Sequence, residues 1–168
     1  MHSAIFTLVT VPDGLAADVG ALKKLRRDFV DPVAGELFES MAGRADYVQE
    51  CGESDNWHFA DLECYLEGCP FINVRPEHVI CFTEDKSYIR AELLRRLAMA
   101  QQLLANTKCE CDLLYRVSSI IGGADDYYIN VVDTANQQLD FMPLSRFLLD
   151  DGNVGRAYML AAVNDYHC

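Results

Sequence analysis

Residues Ala4 to Val11 are apolar or β-branched on both alternating faces, with Ile5, Thr7, Val9 and Val11 on one and Phe6, Leu8 and Thr10 on the other. A period of two without a polar face predicts a strand covered on both sides, near the centre of a sheet. Pro12, Asp13 and Gly14 end it. Leu15, Val19, Leu22, Leu25 and Phe29 then recur at steps of three and four, the spacing of an amphipathic helix. Asp31 and Pro32 stop that helix, and Pro32 is placed to open a second over Val33 to Met41, closed by Gly43.

Between Ala45 and Gly68 the periodicity fades. A short helix capped by Asp55 or Asn56 and running through Leu66 would gather Trp57, Phe59, Leu62 and Leu66 on one face. After Pro70 the pattern sharpens into a hairpin, Phe71 to Val74 and Val79 to Phe82 around Arg75-Pro76-Glu77. Thr83 then caps a long helix, roughly 84 to 106, whose Ile89, Leu93, Leu97, Ala100 and Leu104 form one stripe. Beyond it Leu113, Tyr115 and Val117 alternate with Leu114, Arg116 and Ser118 as a strand would. Tyr127 to Asp133, Leu139 to Met142 and Arg156 to Val163 are further strands, and Ser145 caps one or two helical turns ending at Gly152.

This order predicts an α+β fold in a single domain covering residues 1–168. Its mostly antiparallel sheet has about five to seven strands, with two or three helices on one face. The middle reads as a ferredoxin-like βαββαβ arrangement, followed by a C-terminal β-meander. A chain of 168 residues buries about 70% of its extended surface, so a true core is feasible.

Charge adds a location to this picture. The chain carries 26 acids and 14 bases, a net charge of −12. Residues 28 to 85 hold fourteen acids against Arg44 and Arg75, which is the whole excess; the other 110 residues are balanced. From Ala45 to Val74 there are seven acids and no base, interleaved with Tyr47, Trp57, Phe59, Tyr65 and Phe71. Such a segment is either a solvated loop or a surface for a protein with a basic face, since charge steers encounter and aromatics supply contact area. In the second reading Glu50, Glu53, Asp55, Asp61, Glu63 and Glu67 supply the charge. Trp57 and Tyr65 supply the anchors. Carboxylates in such a surface can also stand in for nucleic-acid phosphates, whereas direct binding of nucleic acid is disfavoured by the net charge. Of the 14 bases, Lys23, Lys24, Arg26 and Arg27 fall on the first helix and Lys86, Arg90, Arg95 and Arg96 on the long one, where pairing with the chain's own acids is expected.

Cysteine chemistry is the competing source of function. Seven cysteines at irregular spacings fit reduced thiols in the cytoplasm better than a disulfide framework. No stretch reaches the ~20 apolar residues of a membrane span, so no membrane partner is expected. Cys51, His58, Cys64 and Cys69 have the ligand types of tetrahedral zinc, but their spacings of seven, six and five lack the close pairs of common zinc modules. Ordinary buried thiols are the plainer reading. A Cys with His58 or His78, or the pairs Asp125-Asp126 and Asp150-Asp151, would be an enzyme's raw material, yet acidic surroundings raise a thiol's pKa and Asp pairs are common in turns. No phosphate loop, nucleophile elbow or HExxH motif is present. The pattern as a whole favours a small acidic protein without a cofactor, an inhibitor or adaptor acting by protein binding. An enzyme of unassigned reaction and a structural zinc domain rank behind it, and the oligomeric state stays open.

Overall fold

The computed structural model describes residues 2–31, 47–50, 58–106, 113–122, 127–134 and 139–167. Seven strands form one mixed sheet: β1 (His2–Val11), β2 (Tyr47–Glu50), β3 (Ile72–Arg75), β4 (Val79–Phe82), β5 (Tyr127–Val132), β6 (Leu139–Pro143) and β7 (Ala157–His167). Among the described residues five α-helices accompany them: α1 (Val19–Leu25), α2 (Phe59–Glu67), α3 (Ser87–Asn106), α4 (Leu113–Gly122) and α5 (Leu144–Leu149). The strand order is β3-β4-β7-β1-β5-β6, with β2 also paired to β7. Only β1 and β5 run parallel; the other pairings are antiparallel. This is the α+β class with a mostly antiparallel sheet.

β1 is central because both of its faces are apolar. Ala4, Phe6 and Leu8 enter one core with Ile80, Phe82, Ile129, Tyr158 and Leu160 of neighbouring strands. Val9 and Val11 enter a second core with Val79, Val132 and Met159. Leu62 and Leu66 of α2, Tyr88 of α3, and Leu144, Phe147 and Leu148 of α5 close the first core, which gives three helices on one face as expected. The opposite face is closed by α1, through Leu22, and by the wider π-type turn Arg26–Val30 that continues it, through Val30. Asp18 starts α1, its carboxylate accepting the Ala21 N–H at 3.1 Å.

The C-terminal meander does not form. β5 and β6 make a hairpin, but β7 leaves it and wedges between β1 and β4. The reason is burial: Tyr158, Met159, Leu160, Ala162 and Val163 are buried on both faces and need a central place that an outer meander strand would not provide. The ferredoxin-like middle is likewise interrupted by β7, with β5 on the far side of β1. One strand expectation becomes a helix. Residues 113–118 lie in α4, where Leu113, Val117 and Ile120 are the half-buried apolar positions at steps of four and three. A short apolar run fits either period, and packing against α3 selects the helix. The long helix starts at Ser87, capped by Asp85, whose carboxylate accepts the Ser87 N–H at 2.9 Å and its hydroxyl at 2.8 Å. The second helix expected over Val33 to Met41 lies outside the described residues.

Candidate functional site

The described part of the acidic segment consists of α2, the turn after it and β3. α2 begins beyond the expected caps, with His58 at its N-terminus, where the Asp61 carboxylate accepts the His58 N–H at 2.6 Å. Asp61 is therefore occupied in starting its helix. Glu63 points to the hairpin turn and pairs with His78 Nδ1 at 2.9 Å, while the His78 ring lies edge-on to Phe59 with centroids 5.0 Å apart. Tyr65 is exposed, and its ring meets Tyr127 edge-on at 6.0 Å. Glu67 is exposed in the last turn of α2, where a carboxylate opposes the helix dipole. Its position serves no helix-stabilising purpose. Glu50 ends β2 opposite Asn164. Glu53, Asp55, Trp57 and Cys51 lie outside the described residues.

A cleft of about 630 Å³ runs along β3, with Glu67, Asn73, Val74, Arg75 and Glu84 among the residues that line it. Among the described residues β3 is the edge of the sheet, paired only with β4. The Thr83 N–H donates to the Phe71 carbonyl at 2.9 Å, and the register Asn73↔Cys81 and Arg75↔Val79 continues that pairing. Antiparallel alternation then turns the backbone groups of Phe71, Asn73 and Arg75 toward β4, and those of Ile72 and Val74 away from it. The Ile72 N–H is taken by the Cys69 carbonyl at 3.0 Å. The Ile72 carbonyl and the Val74 N–H and carbonyl thus face the cleft side of the sheet, where a further strand would pair. Arg75, the one base in the lining, donates to the Ala16 carbonyl at 3.2 Å. Arg75 keeps its charge there, and among the described lining residues Glu67 and Glu84 outnumber it two to one.

Of the described cysteines, Cys69 and Cys81 are half-buried against the two cores, whereas Cys64 is exposed. His58 is also exposed, and among the described residues no three His, Cys, Asp or Glu side chains converge as a metal site. Burial pushes the Cys69 thiol up, with Glu92 adding to the effect, and burial does the same to Cys81. Both are poor nucleophiles. His78 is engaged by Glu63 rather than by a cysteine, and Asp150 caps a turn by accepting the Gly152 N–H at 2.8 Å. Five of the eight helix bases pair with nearby acids among the described residues: Arg27 with Asp28 at 2.7 Å, Arg95 and Arg96 with Glu92 at 2.7 and 3.0 Å, Lys23 with Glu77 at 3.7 Å and Arg26 with Asp31 at 4.0 Å. Of the described acids singled out in the sequence, Glu67 is the one that lines this cleft. Sequence reasoning missed the cleft and the open edge, because which strand ends a sheet is decided by pairing between distant segments.

The fold and site define a small α+β protein with an open, acid-lined sheet edge. No known protein family, curated protein or solved structure matches the chain. Among the described residues no helix is long and apolar enough to cross a membrane.

Proposed function

We propose that the protein acts by binding another protein, an inhibitor or adaptor whose contact surface is the acidic segment from β2 to β3 and whose partner presents a basic, extended segment. The observation that carries this reading is the edge of β3, unpaired on its outer side among the described residues, in a cleft lined by Glu67 and Glu84 against the single base Arg75. An extended peptide laid along that edge gains main-chain hydrogen bonds from Ile72 and Val74, and alternate Lys or Arg side chains meet the acids. Tyr65, exposed on α2 and set against Tyr127 of β5, offers separate aromatic contact area to such a partner. A partner of this kind includes proteins that handle nucleic acid, whose basic grooves accept carboxylates in place of phosphates. A cytoplasmic setting is supported by the free thiols of Cys64, Cys69 and Cys81.

The test is titration of a labelled peptide of alternating Val and Lys against the protein, with the Val-Glu peptide as control. Binding of the basic peptide alone is expected, weakened at least about tenfold as salt is raised through the range where the Debye length shrinks to ~8 Å. Val74→Pro removes an outward N–H at a position where an edge strand tolerates proline, and should abolish binding without unfolding the chain. Glu67→Lys with Glu84→Lys should do the same. Equal affinity for both peptides, or binding indifferent to Val74→Pro, would sink the reading.

A further inference from the structure

The two faces and the two ends of β3 differ in charge. Ile72 and Val74 pack against the first core, whereas Asn73 and Arg75 stand opposite Cys81 and Val79 of the second. Arg75 accordingly reaches the Ala16 carbonyl, on the second-core side. The acids sit elsewhere. Glu67 belongs to α2, which covers the first core through Leu62 and Leu66. Two tight turns, closed by the Cys69 N–H on the Leu66 carbonyl at 2.8 Å and by the Ile72 N–H on the Cys69 carbonyl at 3.0 Å, fold the chain from Glu67 back to the Ile72 end of the strand. Glu84 comes to the same end, one residue beyond Thr83, whose N–H is held by the Phe71 carbonyl. The cleft thus carries its described carboxylates at the start of β3 and its guanidinium at the finish, about 10 Å further along at ~3.3 Å per residue.

Resting on the reading of β3 as a strand-accepting edge, we infer that the strand it accepts runs antiparallel to β3 and carries an acidic residue opposite Arg75 and a basic residue three positions later, opposite Ile72. Antiparallel pairing, the more stable per residue, lets one partner residue exchange both bonds with Val74, while the residue two further on donates its N–H to the Ile72 carbonyl. The Ile72 N–H needs no partner, because Cys69 already holds it. Pro76, which has no N–H, closes the edge directly after Arg75. Side chains of the added strand alternate between the faces as those of β3 do. Such a strand enters at the Arg75 end. Its first residue meets the guanidinium on the second-core side, and its fourth lies on the side of α2, at the end where Glu67 and Glu84 stand. Carboxylate and ammonium or guanidinium are the respective complements. The reverse order would set a base against Arg75 and a carboxylate against two carboxylates, so charge here selects order and direction as well as sign.

Two labelled peptides of one composition test it against the full chain by fluorescence anisotropy: capped Val-Glu-Val-Thr-Lys-Val and capped Val-Lys-Val-Thr-Glu-Val. They differ only in the order of their charges, and the second matches the cleft only by running parallel to β3. The first should bind about tenfold tighter at low salt. Arg75→Gln should bring the two within about twofold of each other, since the group that reads the first position is gone. Arg75→Glu, checked for folding by circular dichroism, should go further and favour capped Val-Lys-Val-Thr-Lys-Val, which wild type binds less well than the first peptide. The alternating Val-Lys peptide, measured alongside, reports the edge itself. If it binds while the two charge orders bind equally, or the second binds better, the inference is overturned and the edge reading stands. A preference that persists in Arg75→Gln overturns it as well. Binding by none of the peptides removes both.

Discussion

Arg26 donates from Nη2 to the carbonyl of Leu160 at 2.9 Å, at the point where β7 bulges. Between Thr7 and Leu8 the partner on β7 jumps from Ala162 to Leu160, leaving Ala161 as the extra residue. The same nitrogen donates to the Glu77 carbonyl at 3.0 Å, so one guanidinium ties the end of α1 to the bulge and to the hairpin turn. Arg26→Met keeps most of the stem and deletes two charge-assisted bonds to carbonyls. A loss of about 3 kcal/mol is expected, at the lower end of summing two such bonds. Urea unfolding checks it, and Arg26→Lys should recover little, because an ammonium cannot reproduce the planar fork.

The turn that Arg26 holds is itself strained. Glu77 and His78 have φ of 63° and 58°, in the left-handed region at two adjacent residues that are not glycine. External bonds offset the strain: besides Arg26, the Leu160 N–H donates to the His78 carbonyl at 2.9 Å and Glu63 pairs with the His78 ring. Glu77→Gly should be neutral or stabilising by up to ~1 kcal/mol, and Glu77→Val destabilising by ~2 kcal/mol, because a branched Cβ is the least tolerated there. A pair of thermal midpoints in the reverse order would show that the turn is not strained.

Glu92 anchors the charged side of α3. Its carboxylate accepts from Arg95 and from buried Arg96, whose Nη1 has no hydrogen-bond partner. The Arg95 hydrogen bond, more than any other factor, holds the Glu92 carboxyl below its ordinary range, with Arg96 contributing. A depressed folded pKa gives stability that is present above the unfolded value near 4.3 and is lost as pH falls through the folded one. Stability should therefore drop below pH ~4. Glu92→Gln leaves a buried guanidinium without its anion, which costs about 3 kcal/mol at neutral pH and flattens the acid limb of a stability-against-pH curve. An acid limb unchanged in the variant would exclude Glu92 as its source.

How much of this was legible beforehand varies with the range of the forces involved. β1 could be read from its own residues, since only a central strand makes both faces of Ile5 to Val11 apolar. The Phe71 to Phe82 hairpin was equally local. Leu113 to Val117 was ambiguous because four or five residues satisfy both periods, and contact with α3 decides between them. The stripe of Leu93, Leu97 and Leu104 was read correctly as one face of a helix, but periodicity does not say whether a face turns inward. Burial of Arg96 with Glu92 turned it outward. β7 between β1 and β4 depends on which of several apolar strands wins the centre, a competition among distant segments. The run of acids singled out Glu67, which lines the cleft along β3. It also drew in Asp61 and Glu63, which the structure assigns to a helix start and a turn.

The first core ends in a tyrosine whose ionisation gives a second, alkaline limit. Tyr158 is buried between Phe82 and Phe147, ring centroids at 6.0 and 5.2 Å, and its hydroxyl donates to Asn153 Oδ1, while Asn153 Nδ2 donates to the Phe147 carbonyl at 2.6 Å. Burial pushes its pKa up to about 12. A folded pKa raised above the unfolded value near 10 gives stability that is complete below pH 10 and is lost as pH rises through 12. Two units correspond to about 3 kcal/mol. Absorbance of tyrosinate should show one tyrosine that titrates only with unfolding. Tyr158→Phe removes the ionisation, so its stability should fall less steeply between pH 10 and 12. At neutral pH the variant should be ~1–2 kcal/mol weaker, since Asn153 Oδ1 is left buried without a donor. If wild type and variant lose stability in parallel across that interval, the alkaline limit arises elsewhere.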